Sequence, residues 1–239
     1  MTTSEVTQIL SAVIDVADDG VSLPQRLVCA CAAALPVTGV GMMLMTDAGP
    51  AGVVGATSGP AMTMENLQFT LGEGPCVDCS KTGRPVLVAD LAASGPPRWP
   101  AFSAGALDVG IRAIFALPLR VGAIRLGVLD LYRDAPGPLP AEDLAHALSF
   151  ADAATAVLLH LQAHDSGDDP AGVVVIDDRA AVHQATGFIA GRAGMSMTQA
   201  LVLLRARSFA SGQLIHDLAE SVLAGELWFS TDETGIHLH

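Results

Sequence analysis

Between Asp177 and Trp228 the chain carries three short apolar-striped stretches cut by two glycine-bearing turns, and this pattern narrows the possible folds more than any other. In the first stretch Val182, Ala185 and Ile189 recur at helical spacing with Phe188 beside them, which predicts one apolar face. Arg179, His183 and Thr186 fall on the opposite strip. Gly191-Arg192-Ala193-Gly194 ends that helix. Ser196-Met197-Thr198-Gln199 then has the form in which a serine oxygen and a glutamine side chain satisfy each other's free backbone amides, so a second helix is expected from Ser196. Ala200, Leu201, Leu203 and Leu204 give it an inward face, and Ser211-Gly212 breaks it. Leu214, Ile215, Leu218, Ala219 and Val222 stripe a third helix. Helices this short bury their stripes only against one another, so the segment is expected to be a three-helix bundle.

Arg179, Gln184, Ala185, Gly187, Ala200, Leu204, Arg205 and Ala219 stand where the ANTAR domain carries its pattern of R, then Q-A-K-G, then A-x-x-x-L-R, then A. The segment resembles that domain, an RNA-binding antitermination module of bacterial signalling proteins, over essentially its whole length. The resemblance implies binding to paired short RNA hairpins that keeps a terminator from forming. It points to Arg179, His183, Gln184, Thr186, Gly187 and Arg205 as RNA contacts. Thr186 occupies the position at which the family usually has lysine, so one backbone-contacting charge is missing. Arg205 and Arg207, two residues apart, cannot share a helix face, and at most one is expected on an RNA surface.

Composition bounds what such a bundle can do. The chain has 239 residues, enough for one domain of about 150 residues and a small one. Its formal charge of -13 works against nonspecific attraction to nucleic acid or anionic membranes. The C-terminal segment is no exception: Arg179, Arg192, Arg205 and Arg207 are outweighed by Asp177, Asp178, Asp217, Glu220, Glu226, Asp232 and Glu233. RNA binding here must rest on shape and on contacts to looped bases. No apolar run reaches the roughly 18 residues that span a bilayer, and no membrane partner is expected. The first twenty residues hold acids and no base, unlike a secretory signal, so a soluble, cytoplasmic protein is expected.

Ahead of the bundle, helices are expected over Ser4 to Val16 and from Pro24 to Pro36, and a strand hairpin over Thr38–Thr46 and Ala51–Thr57. A helical stretch Ala61–Phe69, a short helix ending at Lys81, a strand Val86–Leu91 and a helix Trp99–Leu107 follow. Ala113–Val121 and Ala123–Tyr132 form a second hairpin turning at Gly122, and a long helix runs from about Pro140 to Ala163. This order gives an α+β class: an antiparallel sheet flanked by helices, followed by the all-α bundle. Leu71-Gly72-Glu73-Gly74-Pro75-Cys76 and the residues to Leu91 resemble the GAF domains that precede ANTAR in bacterial regulators, over Ser22 to about His160. The expected division is a GAF-like sensor over 1–164, a linker over 165–175, the ANTAR-like domain over 176–229 and a tail over 230–239.

Within the sensor, Cys76, Asp90, Trp99, Phe102 and Arg112 lie on segments that border the ligand cavity of GAF folds, by resemblance, and a small-molecule effector of unspecified chemistry is expected there. Gly72-Glu73-Gly74 has glycines that let backbone amides approach a phosphate, but Pro75 and Cys76 stand where a P-loop needs Lys and Ser or Thr, so a turn entering a helix is expected. Cys76-x-x-Cys79 has zinc or redox spacing, and Cys29-x-Cys31 could supply two more ligands. One intervening residue on a helix, however, sends Cys29 and Cys31 to different faces. Cysteines used as small core residues in a reducing compartment, with no metal and no resident cofactor, are expected.

The expectation is a signal-responsive regulator, not an enzyme, that binds RNA hairpins and promotes transcription antitermination. Two alternatives stand beside it: a cysteine-based redox sensor or GAF-type methionine sulfoxide reductase, and an adaptor whose bundle binds protein. A homodimer is expected through the long helix. There Leu144, Leu148, Ala151, Thr155 and Leu158 form one stripe and Ala147, Phe150, Ala154, Val157 and Leu161 another, so that one stripe covers the sheet and the other meets a partner.

Overall fold

In a computed structural model the described residues are 3–15, 20–46, 49–57, 59–164, 180–232 and 235–238. The chain divides into two compact units, Met1–Ile176 and Asp177–His239.

The first unit is built on a five-stranded antiparallel sheet. Its strands are β1 (Gly39–Thr46), β2 (Gly49–Ala56), β3 (Val86–Val88), β4 (Ala113–Val121) and β5 (Ile124–Arg133), in the spatial order β2-β1-β5-β4-β3. The strand predicted over Val86–Leu91 stops at Val88, because Asp90 caps a four-residue helix, α5 (Leu91–Ser94). β4 and β5 are joined by a two-residue turn in which Val121 faces Ile124 and Gly122 takes φ 59°, the positive value that a tight hairpin demands of its first central residue.

Alternation along the strands sorts side chains to two faces. Val40 and Met42 of β1, Phe115, Leu117 and Leu119 of β4, and Leu129 and Leu131 of β5 share one core. That core includes Leu27, Val28 and Cys31 of α2 (Leu23–Ala34), Ile9 and Val13 of α1 (Thr3–Ile14), and Ala147, Phe150, Ala154 and Leu158 of α7 (Ala141–His164). The alternate residues turn to the opposite face, against which α3 (Pro60–Leu71) and α4 (Pro75–Thr82) pack, with α6 (Pro100–Asp108) beside α3. Burying a leucine of this core contributes about 1.5–3 kcal/mol, and truncating one to alanine costs about 2–5.

The long helix departs from expectation. Ala147, Phe150, Ala154 and Val157 of one stripe and Ala151 and Leu158 of the other are all buried, because α7 packs on β4 and β5 and is also covered by α1 and α2 of the same chain. Much of the wide apolar arc therefore serves two layers of intrachain contact, while Leu144, Leu148, Thr155 and Leu161 are half-buried. Among the described residues α7 is also the one helix long and apolar enough to cross a membrane by length and composition, although no uninterrupted apolar run marks it in the sequence. Ala147, Phe150, Ala151, Ala153, Ala154 and Leu158 belong to the core just described, and Leu159 is exposed.

The second unit holds α8 (Ala180–Ala193), α9 (Met197–Ser211) and α10 (Ile215–Leu223). Val182, Ala185, Ile189, Ala200, Leu201, Leu204, Ile215, Leu218, Ala219 and Val222 are buried, as the stripes predict. The reciprocal cap forms: Gln199 N donates to Ser196 Oγ at 3.2 Å and Ser196 N donates to Gln199 Oε1 at 2.9 Å. Gly194 and Gly212 take φ 64° and 69° after their helices, the left-handed conformation that releases the chain from a helix. Three positions differ from expectation: Leu203 is only half-buried, and Phe188 and Leu214 are exposed at 45% and 69%. The segment expected to be a tail instead forms a hairpin of β6 (Phe229–Asp232) and β7 (Gly235–Leu238), with Phe229 opposite Leu238 and Asp232 opposite Gly235.

Candidate functional site

On the α3–α4 side of the sheet, the interior is polar where an ordinary core would be apolar. Glu65 and Gln68 of α3, Asp130 and Tyr132 of β5, and Cys76 at the start of α4 are all fully buried. Tyr132 Oη donates to Glu65 Oε1 at 2.7 Å. Gln68 Nε2 donates to Asp130 Oδ2 at 3.4 Å and to Tyr132 Oη at 3.2 Å. The same amide accepts, through Oε1, from Cys76 N at 2.8 Å, so a side chain from α3 caps the N-terminus of α4. The result is one connected chain of donors and acceptors from α4 through Gln68 to Glu65.

The sheet is shaped to admit these groups. Asp130 lies between Gly41 of β1 and Ala116 of β4, and Tyr132 between Gly39 and Ile114. A Cβ at Gly41 would fall onto the Glu65 carboxylate, and one at Gly74, which takes φ 130°, would lie 2.6 Å from Gln68 Oε1. The small residues thus leave a hollow for polar side chains against central strands.

Burial sets the electrostatics. It pushes the Asp130 carboxyl up to about 7, against hydrogen bonds from Cys76 and Gln68 that pull the other way. The Cys76 thiol and the Tyr132 phenol are raised well above their ordinary values by burial first, then by the nearby carboxyls of Asp130 and Glu65. Cys79 is likewise raised by burial and by Asp130, and its thiol donates to Ala116 O at 3.5 Å. A reactive cysteine needs an accessible thiolate, and neither thiol is placed to supply one. Cys31 lies in the α2–α7 core on the other face of the sheet, and Cys29 is exposed. The four cysteines therefore cannot gather on one metal ion.

Of the residues that the sequence places at the sensor site, only Cys76 joins the network. Asp90 is exposed and caps α5 by accepting from Ala93 N at 3.1 Å. Arg112 donates to Leu107 O at 2.9 Å and Ile111 O at 3.0 Å, tying down the end of α6. Trp99 is buried, its indole N–H donating to Asp78 Oδ2 at 3.2 Å while the Arg98 guanidinium lies 4.0 Å over the ring. Phe102 is core, and its backbone N–H donates to Glu73 Oε1 at 2.8 Å. That bond puts an acid in the turn Gly72-Glu73-Gly74, which agrees with a turn and not a phosphate cradle. Sequence reasoning missed Glu65, Gln68, Asp130 and Tyr132. One signal was available for Asp130, a charged residue in the apolar strand Leu126-Gly127-Val128-Leu129-Asp130-Leu131-Tyr132.

In the second unit, His183 and Gln184 are exposed on α8 and Gly187 is partly exposed. Arg179 lies outside the described residues. Thr186 does not belong to the polar strip: it is buried at 3%, with its hydroxyl donating to Val182 O at 2.6 Å. The position follows Ala185 into the bundle, and back-bonding to the preceding turn satisfies the hydroxyl there. Arg205 is half-buried on α9, whereas Arg207 is exposed.

A five-stranded sheet with helices on both faces and a buried polar network on one of them defines an α+β domain, joined here to a separate helical unit. Residues 22–159 match the GAF domain family, and the chain belongs to that family. Residues 175–223 match the ANTAR domain, so the chain has a two-domain GAF–ANTAR architecture, a signal-sensing domain followed by an RNA-binding antitermination module. Among solved structures, the GAF domain of an Acinetobacter phosphoenolpyruvate-protein phosphotransferase is similar at 13% identity and TM-score 0.50, over 70% of this chain and 99% of that one. The GAF domain of the Coxiella burnetii counterpart is similar at 16% identity and TM-score 0.50, over 70% and 100%. A free methionine-R-sulfoxide reductase from Neisseria meningitidis is similar at 18% identity over 69% and 95%, with a TM-score of 0.46 that is too low to bear on function. No curated protein matches the chain.

Proposed function

We propose that this protein is a cytoplasmic, signal-responsive regulator that binds RNA hairpins through its ANTAR domain and promotes transcription antitermination, under control of a small molecule taken up by its GAF domain. The reading rests on one observation: the two family matches occur in one chain as two compact units, each with its own core. On the ANTAR side, His183 and Gln184 of α8 are exposed, which supports their assignment as RNA contacts, and the burial of Thr186 argues against including it. On the GAF side the effector acts on the buried network of Glu65, Gln68, Asp130 and Tyr132, whose hydrogen bonds join α3, α4 and β5. A ligand that rearranged any one of these bonds would shift helices against the sheet. Two copies of the chain present two ANTAR domains to the paired hairpins, through a surface other than the buried stripes of α7. The GAF–ANTAR architecture supports a regulator over an enzyme, and the burial of Cys76 and Cys79, which raises both thiols, fits that role.

The test is to crosslink RNA to the full-length protein in cells, sequence it, and measure read-through of any terminator lying beside the recovered hairpins. Enrichment of hairpin RNA with protein-dependent read-through is expected. Recovery of no structured RNA, or binding without any effect on read-through, would overturn the reading.

A further inference from the structure

Gln184, Phe188 and Arg192 follow one another at intervals of four along α8, and all three are exposed. At 100° per residue this spacing lays them along a single slanting stripe about 12 Å long. They offer, in order, an amide that can donate and accept, an aromatic ring, and a cation. The Arg192 guanidinium sits 5.9 Å over the Phe188 ring. Beside them Trp228, 46% exposed, closes a shallow open cleft lined by Phe188, Ile189, Arg192, Val222 and Trp228.

Two features of this cleft need a cause. Large aromatic side chains are normally withdrawn from water, and the stripe Val182, Ala185 and Ile189 already supplies the buried face of α8, so the bundle does not require a phenylalanine at position 188. The charge also runs against the chain's net of -13: among the described residues lining the cleft, Arg192 is a cation and none is an acid. Flat apolar surfaces next to a lone guanidinium complement a partner with a planar ring and an adjacent negative charge, and an unpaired nucleotide has both.

We propose that Phe188, Trp228 and Arg192 form a stacking platform for an unpaired base of the RNA, with the aromatic rings taking the base and Arg192 its phosphate. This inference rests on the RNA-binding reading above and adds residues that the ANTAR pattern does not specify. It also accounts for how so acidic a protein holds RNA: stacking supplies affinity without a broad positive field. Gln184, one turn before Phe188, is within the same stripe to meet the edge of the stacked base.

The probe is the hairpin recovered by crosslinking, synthesised with 2-aminopurine at each unpaired position in turn, titrated with the full-length protein. Quenching of 2-aminopurine at one position is expected with wild type, as the base stacks. Phe188→Ala and Trp228→Ala should each weaken binding about tenfold and abolish that quenching, whereas Phe188→Tyr should retain both. Circular dichroism of each variant checks that the bundle stays folded, with a wild-type spectrum expected. If no hairpin is recovered, the RNA-binding reading itself fails. If wild type binds the hairpin and both alanine variants bind it equally well, only the stacking platform is refuted. A change in mass by light scattering with unchanged RNA affinity would refute it as well, and would make the cleft a protein interface.

Discussion

Asp130 is a carboxyl at the centre of a sheet, and its consequence for stability has a definite sign. Its folded value of about 7 lies above the ordinary value near 3.9, so between these limits the folded protein binds a proton that the unfolded chain releases. The stabilisation that this proton brings is complete below about pH 4, declines as pH rises, and is gone above about pH 7. Asp130→Asn keeps an acceptor for Gln68 and removes the charge, so its stability should fall less than that of wild type over the same interval, by a difference on the order of a few kcal/mol. Denaturant midpoints of the GAF domain measured from pH 4 to 8 will show this, and parallel curves for the two proteins would mean that Asp130 titrates normally. The network around Asp130 was poorly legible in the sequence for a physical reason. Glu65 and Gln68 lie on a helix of weak amphipathicity, where polar residues ordinarily face water. Only the absence of a Cβ at Gly41 and Gly74 tells that space was kept for them. Asp90 and Arg112 misled in the opposite way, since caps and ligand contacts draw on the same polar residue types.

At the scale of elements the sequence was far more informative, because periodicity and caps are local. The two sensor hairpins, the three bundle helices and the Ser196–Gln199 cap all lie where spacing puts them. The cap is open to a direct measurement. Ser196→Ala removes the acceptor for Gln199 N, which should cost about 1 kcal/mol and show as faster hydrogen exchange in the first turn of α9, with α7 unaffected. Unchanged exchange there would mean that packing alone fixes the helix start. What periodicity could not decide was which neighbour covers a face. The two stripes of α7 are the same whether the cover is a partner or α1 and α2 of the same chain. Val157, 4% exposed, makes the difference measurable. Val157→Glu should bury an unpaired carboxylate and unfold the GAF domain, at a cost of several kcal/mol, with loss of far-ultraviolet ellipticity. A variant that stayed folded but became monomeric would restore α7 as a dimer seam. The β6–β7 hairpin escaped notice because each strand has four residues, too few for alternation to register.

For the whole molecule, the strongest constraint on function is charge. Proteins that hold nucleic acid mainly through phosphates release a counterion for each contact, and log K then falls with log salt at a slope of about -0.7 to -0.9 per phosphate neutralised. This chain has 12 basic residues against 25 acidic ones, and its ANTAR segment contributes only Arg179, Arg192, Arg205 and Arg207. Arg205 is half-buried on α9, which limits its reach to a backbone phosphate. With at most three or four arginines available to one hairpin, the slope for a single hairpin should be no steeper than about -4, and the affinity that survives at high salt should come from stacking and hydrogen bonds to unpaired bases. The measurement is a hairpin titration of the full-length protein between about 50 and 500 mM salt, repeated with Arg192→Ala, which should flatten the slope by about 0.7 to 0.9 if that guanidinium meets a phosphate. A wild-type slope of about -6 or steeper would require more phosphate contacts than the ANTAR segment has cations, and would place part of the RNA on another surface of the protein.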